Sequence, residues 1–165
     1  MKQLKNHLIG GITGGIGSEL AVKLGAEGDC VAGYARKAAD GDSFSTQDEF
    51  MLKTCDATDP KALETVINEF QKDLGSIDSY THAIGSIYLR PAHLTPVEDW
   101  LQTIQTNLSS AFYALRSVTK IMSKQGHGTC LFFSTAAAQT GIANHEAIAA
   151  AKGGIEAMVR AAAAS

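Results

Sequence analysis

The stretch Ile9-Gly10-Gly11-Ile12-Thr13-Gly14-Gly15-Ile16-Gly17 constrains the fold more than any other part of this chain. It ends an apolar run, His7 to Ile12, that reads as a strand. It opens a segment from Gly15 to Gly28 in which Ile16, Leu20 and Leu24 recur at helical spacing. Gly11, Gly15 and Gly17 carry the spacing G-x-x-x-G-x-G, and each meets a different demand. One lets the chain turn sharply off the strand, one lets backbone approach a phosphate, and one lets the helix pack close to the sheet. The helix start then offers free N–H groups and partial positive charge to an anion. Strand, glycine turn and helix together predict a site for a dinucleotide pyrophosphate, with Thr13 and Ile16 inside the contact stretch.

Apolar runs of strand length alternate with helical segments along the rest of the chain. Asp29–Tyr34, Met51–Cys55, Ile77–Ile84 and Thr129–Ser134 read as strands. Asp59 is a natural N-cap and Pro60 a natural first residue for a helix that buries Leu63, Val66, Ile67 and Phe70. Thr95-Pro96-Val97-Glu98 is a capping-box pattern that starts a long helix towards Met122. The segment from Asn144 to Ser165 is Ala-rich and helical, with Asn144 as its N-cap, and Ala38 to Glu49 reads as a loop or short helix. This alternation predicts an α/β fold with a doubly wound parallel sheet.

With 165 residues, 45% of them hydrophobic, the chain suits one domain over 1–165. It stops inside its last helix, although a doubly wound sheet of roughly six strands needs more residues. The strands completing the sheet and the substrate-binding part are therefore expected to be missing. A net charge of -3 with no basic run argues against nucleic acid and against a polybasic membrane anchor. The apolar start is too short for a signal peptide or a membrane span, so a cytoplasmic location is expected. Cys30, Cys55 and Cys130 lie far apart in apolar stretches and are expected to be buried, reduced thiols; neither a metal site nor a disulfide is expected.

The end of the second strand bears on which dinucleotide is held. A site for NAD places an acidic residue there to accept the ribose hydroxyls. This chain reads Gly33-Tyr34-Ala35-Arg36-Lys37, without a carboxylate, and Arg36 with Lys37 suits a 2′-phosphate. NADP is expected rather than NAD.

In its strand order and glycine turn the sequence resembles the short-chain dehydrogenase/reductase family along its whole length. Gly11, Gly15 and Gly17 match the family's cofactor turn, with Gly10 where a Thr is usual. The resemblance implies that Asp56-Ala57 contacts the adenine. It also places Ala83 and Gly85, in His82-Ala83-Ile84-Gly85, at the family's Asn-Asn-Ala-Gly wall of the cofactor site. Asn107 matches the family's structural and proton-relay Asn. Lys152 matches the Lys of its Tyr-x-x-x-Lys pair, and Thr135, next to Ser134, falls in register with its catalytic Ser.

The Tyr of that pair is Ile148 here. Residues four apart share a helix face, so a Tyr would stand beside Lys152 with its phenol pKa lowered from about 10 into a usable range. Ile has no proton to give. Lys152 retains its implied bond to the nicotinamide ribose and Thr135 its bond to a substrate oxygen. His145, three residues before Ile148, is a stand-in acid, although it also reads as a residue at the helix start. Tyr88 is a second stand-in or an ordinary half-buried aromatic. Trp100, Phe112 and Tyr113 read as core or subunit contact.

The expected activity is that of an NADP-dependent oxidoreductase acting on a carbonyl or enoyl group. A dinucleotide-binding sensor or scaffold without catalysis is the alternative. An S-adenosylmethionine methyltransferase shares the glycine turn, but it wants an acidic residue where Ala35-Arg36 stands. The resemblance implies a homodimer or homotetramer through helices 98–122 and 145–164, where Ile155, Met158 and Val159 form an apolar stripe.

Overall fold

The computed structural model describes residues 4–37 and 50–165; the polar stretch Ala38 to Glu49 lies outside the described residues. Strands and helices alternate as β1 (Asn6–Gly10), α1 (Gly15–Ala26), β2 (Cys30–Ala35), β3 (Phe50–Thr54), α2 (Pro60–Leu74) and β4 (Ser79–His82). They continue as α3 (Val97–Ile104), α4 (Ser110–Gln125), β5 (Thr129–Phe132) and α5 (Glu146–Ala163). The sheet has the order β3-β2-β1-β4-β5, and β1 pairs parallel with both β2 and β4, as β2 does with β3. This is the doubly wound arrangement that the alternation predicts. The strand order reverses at β1, so the carboxyl ends of β1 and β4 border the crevice where open α/β sheets hold ligands.

Two compact units make up the chain: Met1–Ala83 with Tyr113–Leu131, and Ile84–Phe112 with Phe132–Ser165. In the first, Ile9, Ile12, Ala21, Val31 and Phe50 form a buried cluster, against which Leu20, Leu24 and Leu52 pack. β1 lies between two neighbours and is covered on both faces, which is why it reads as a continuous apolar run. Ile16 departs from the expected stripe of α1 and is exposed, the buried positions being Gly17 and Ala21. α2 begins as predicted: Asp59 Oδ1 accepts from the backbone N–H groups of Lys61 and Ala62 at 2.9 and 3.0 Å, and Pro60 follows. Leu63, Ile67 and Phe70 are its buried face. Of the cysteines, only Cys55 is buried; Cys30 is exposed and Cys130 half-buried, because they lie on β2's first residue and on β5.

A polar chain runs through this apolar unit. The Tyr34 and Tyr80 hydroxyls lie 2.7 Å apart, and Tyr80 Oη lies 2.7 Å from His82 Nδ1, all three side chains being fully buried. Burial raises both phenols well above the usual tyrosine range, so both stay protonated donors. Gly10, on the strand between them, makes the room. A Cβ there would lie 2.6 Å from the Tyr34 hydroxyl and 2.8 Å from that of Tyr80. The glycine that replaces the usual Thr thus belongs with two tyrosines that sequence reading did not connect to it.

In the second unit α3 and the π-helical segment Gln105–Ser109 lie against α5. Gly154 admits Leu108: a Cβ on the glycine would lie 2.9 Å from a Leu108 methyl. The expected capping box is not formed. Pro96 occupies the cap of α3, and Thr95 Oγ1 donates instead to the Pro91 carbonyl at 3.1 Å. The single long helix expected towards Met122 is interrupted by the π-helical turn, which joins α3 to α4. Asn144 does not cap α5, because it adopts φ 64, and His145 holds the cap position without a side-chain cap bond. Phe112, read as core or contact, is exposed.

Gly10→Thr is expected to cost about 2 kcal/mol by overpacking and to lower the Tm by about 5 °C. Gly10→Thr with Tyr34→Phe, which removes the nearest hydroxyl, should recover about half of that loss, as read by thermal unfolding. Additive effects of the two changes would contradict the coupling.

Candidate functional site

The glycine turn leaves the end of β1 with Gly11 at φ 80, a left-handed conformation that glycine adopts without strain. Gly11 N–H donates to the Tyr34 carbonyl at 2.8 Å, and Gly14 N–H to the Gly11 carbonyl at 3.0 Å. A Cβ on Gly17 would overlap the Gly11 carbonyl, so the first turn of α1 lies on the turn only because that residue is glycine. α1 starts at Gly14 with no side-chain cap and no acidic residue in its first turn. Its leading N–H groups are thus available to an anion, and Gly14, Gly15 and Ile16 are exposed around them. Ala83, just beyond β4, donates its N–H to the Gly10 carbonyl at 2.8 Å and fixes the neighbouring strand end.

Arg36 and Lys37 follow β2 and are exposed. Asp56 follows β3, and its Oδ1 accepts from Thr58 N at 2.9 Å and Thr58 Oγ1 at 2.8 Å. These two bonds, with the Arg36 guanidinium as a lesser contribution, hold its carboxyl below the usual aspartate range. Arg36 and Asp56 therefore share one electrostatic neighbourhood, while Ala57 beside them is buried.

The second unit holds a separate polar cluster around Asn107, which sits in the π-helical turn and is fully buried. Its Oδ1 accepts from Ser86 N at 3.0 Å, and its Nδ2 donates to Ser86 Oγ at 3.1 Å and to the Thr103 carbonyl at 3.0 Å. The amide is fully satisfied and clamps the segment that follows β4. Gly85 faces the cluster: a Cβ there would lie 3.0 Å from Asn107 Oδ1 and 3.5 Å from Lys152 Nζ. Lys152 is only 8% exposed, and among the described residues its Nζ makes no hydrogen bond or ion pair. Burial pushes its pKa down. Burial of the side chain thus opposes the charge of an ammonium that no carboxylate among the described residues offsets.

Ser134 and Thr135, paired in the sequence reading, have different surroundings. Thr135 Oγ1 accepts from Ala137 N at 3.3 Å, which leaves its own proton to donate. Ser134 Oγ lies 2.6 Å from Glu156 Oε1, an acceptor the sequence reading missed. The available signal was spacing, since Glu156 stands four residues after Lys152 on the same helix. Ile148 is buried at 5% exposure. Among the described residues His145 makes no bond to the Asn107 cluster; its Nδ1 donates to the Ala143 carbonyl at 2.7 Å. Tyr88 is half-buried, and its hydroxyl lies near Asp99 and Arg90 but meets no partner at hydrogen-bond geometry among the described residues. Trp100 lines a cavity of ≈ 320 Å³ together with Ala92, Thr95, Val97, Glu146 and Ala147.

A protein-family model described as enoyl-(acyl carrier protein) reductase matches residues 11–165. The chain is 28% identical over 155 residues to a 3-oxoacyl-[acyl-carrier-protein] reductase, FabG, of Haemophilus influenzae, covering 93% of this chain and 64% of that protein. It is 26% identical to a D-threitol dehydrogenase of Mycolicibacterium smegmatis, covering 92% and 60%. Among solved structures, NAD+-bound xylitol dehydrogenase superposes with a TM-score of 0.88 at 26% identity, over 96% of this chain and 63% of that one. The chain thus spans less than two thirds of the length of these relatives.

Because Lys152 is buried without a partner, Lys152→Met should stabilise the ligand-free protein by about 1 kcal/mol, raising its Tm by about 3 °C at neutral pH. A base whose folded pKa is lowered binds fewer protons folded than unfolded, so its penalty shrinks as pH rises through that pKa towards 10.5. Thermal unfolding of both proteins should show the gap narrowing at alkaline pH. A Lys152→Met protein less stable than wild type would contradict the reading.

Proposed function

The chain belongs to the short-chain dehydrogenase/reductase family, and from that membership we propose that it is an NADP-dependent oxidoreductase acting on a carbonyl or enoyl substrate. The observation that carries the proposal is Lys152, a side chain only 8% exposed whose ammonium faces a glycine and has no partner among the described residues. It fits a nicotinamide ribose as the group that supplies the missing acceptors. The uncapped start of α1 fits the pyrophosphate, with Gly11, Thr13, Gly15, Ile16 and Gly17 along it. Arg36 would pair with the 2′-phosphate, Asp56 and Ala57 would meet the adenine, and Ala83 and Gly85 would leave room for the ring system. Bound NADPH would supply a hydride.

The chain's own residues then have distinct tasks. Asn107 holds Ser86 through two hydrogen bonds, and its third bond, to the Thr103 carbonyl, fixes the amide itself, so that Gly85 keeps its place against Lys152. Lys152 fixes the ribose by charge and hydrogen bonding. Thr135 donates its remaining proton to the substrate oxygen. Ile148 gives none, which favours a substrate that depends little on a phenol acid. His145, with its Nδ1 committed to Ala143, offers Nε2 as the position from which a proton is delivered. A second copy of the chain would pair through helices 98–122 and 145–164.

Two experiments test this reading. Turnover of NADPH should be measurable against a panel of ketones, quinones and enones. His145→Ala should lower kcat about 100-fold, and Ile148→Tyr should raise kcat for ketones by a similar factor. Tight NADPH binding with no turnover by any of these proteins would instead indicate a binding-only protein. Separately, Arg36→Ala should weaken NADPH about 10-fold while leaving NADH unchanged; equal losses for both would remove Arg36 from the 2′-phosphate.

A further inference from the structure

Among the described residues, Glu156 is the side chain of α5 that hydrogen-bonds both ends of the segment following β5. Ser134 donates to its Oε1 at 2.6 Å, a short charge-assisted bond, and Ser134 Oγ also lies 3.5 Å from the Lys152 carbonyl. At the other end of the segment, Gln139 Nε2 lies 3.5 Å from Oε1 and 3.3 Å from Oε2 of the same carboxylate. Arg160, one turn further along α5, stands 3.7 Å from Oε2 and supports the carboxylate from its own helix. These donors, Ser134 foremost, hold the Glu156 carboxyl below the usual glutamate range.

Between the two tethers lies Thr135, followed by the tight 3-10 turn Ala136–Ala138. That turn rests on α5 next to Lys152: a Cβ on Gly153 would meet the Ala138 methyl at 3.9 Å. Thr135 makes no side-chain bond to α5 among the described residues; its Oγ1 is engaged only with Ala137 N within the turn. Its place relative to Lys152 therefore depends on what holds the segment at either end. Glu156, four residues after Lys152 on the same helix face, does that holding.

We propose that Glu156 is a positioning residue of the site, holding the Ser134–Gln139 segment on α5 so that the Thr135 hydroxyl keeps a fixed place relative to Lys152. Ser134 is then an anchor, its proton committed to Glu156, and Thr135 alone meets the substrate. The catalytic consequence rests on the oxidoreductase reading above, whereas the tether itself does not.

The test compares Glu156→Ala, Glu156→Gln and Ser134→Ala with wild type by amide hydrogen exchange, NADPH binding and steady-state kinetics. The amides of Ala138 and Thr140, bonded to the Thr135 and Ala136 carbonyls, report on the segment. Glu156→Ala and Ser134→Ala should speed their exchange about 10-fold and raise KM for the substrate about 10-fold, with NADPH affinity unchanged. Glu156→Gln keeps an acceptor for Ser134 and should restore most of both. Unchanged exchange and KM in Glu156→Ala overturn the proposal, as does a loss of NADPH affinity that accounts for the whole kinetic defect. If wild type reduces nothing on the panel, the oxidoreductase reading falls alone, and exchange decides: lost protection that Glu156→Gln restores supports the tether, and unaltered protection overturns it. Should Glu156→Ala fail to fold, Ser134→Ala decides in its place by the same readings.

Discussion

The close approach of α1 to the end of β1 is the constraint on which the first unit depends. It exists because Gly17 puts no side chain over the Gly11 carbonyl. That contact aims the first N–H groups of α1 at the point where the strand order reverses. Gly11 in turn hangs from the Tyr34 carbonyl, and Gly10 makes room for the Tyr34 and Tyr80 hydroxyls beneath the turn. The glycine turn is thus held from below by a buried polar chain whose hydrogen bonds lie in a low-dielectric setting. Loss of one link there leaves a buried donor or acceptor unmet, at a cost of about 1–3 kcal/mol.

The second unit is organised by an opposite principle. Asn107 is saturated with hydrogen bonds, whereas the Lys152 ammonium makes none among the described residues, and Gly85 faces both. Burying a lysine side chain without a partner for its charge costs stability. The π-helical turn that carries Asn107 belongs to the same logic, because π-bulges gather at functional positions. On the proposed reading Lys152 and Asn107 serve a bound ligand, whereas buried Ile148 offers no proton.

Local features were legible in the sequence. The glycine turn, the strand and helix alternation and the Asp59-Pro60 helix start depend on neighbours within a few residues, and the structure has all of them. Where a local pattern failed, another hydrogen bond, local or distant, had taken the group. Thr95 bonds back to Pro91 instead of capping α3, and Asn144 turns left-handed, its carbonyl accepting Arg90 N–H at 2.9 Å. The features that escaped sequence reading join residues far apart in the chain: Tyr34 with Tyr80, and Ser134 with Glu156. No periodicity or propensity links such positions. The bond from Ser134 to Glu156, which distinguishes Ser134 from the neighbouring Thr135, is visible only in the fold.

Equilibrium titration of the purified chain with NADPH and with NADH, followed by nicotinamide fluorescence or calorimetry, tests the central claim most directly. The structure predicts saturable binding at one site per chain in the micromolar to millimolar range usual for such ligands, about 1 μM to 1 mM, and its loss when Gly17 is replaced by a larger residue. Failure of both dinucleotides to bind a folded wild-type chain would contradict the account at its foundation.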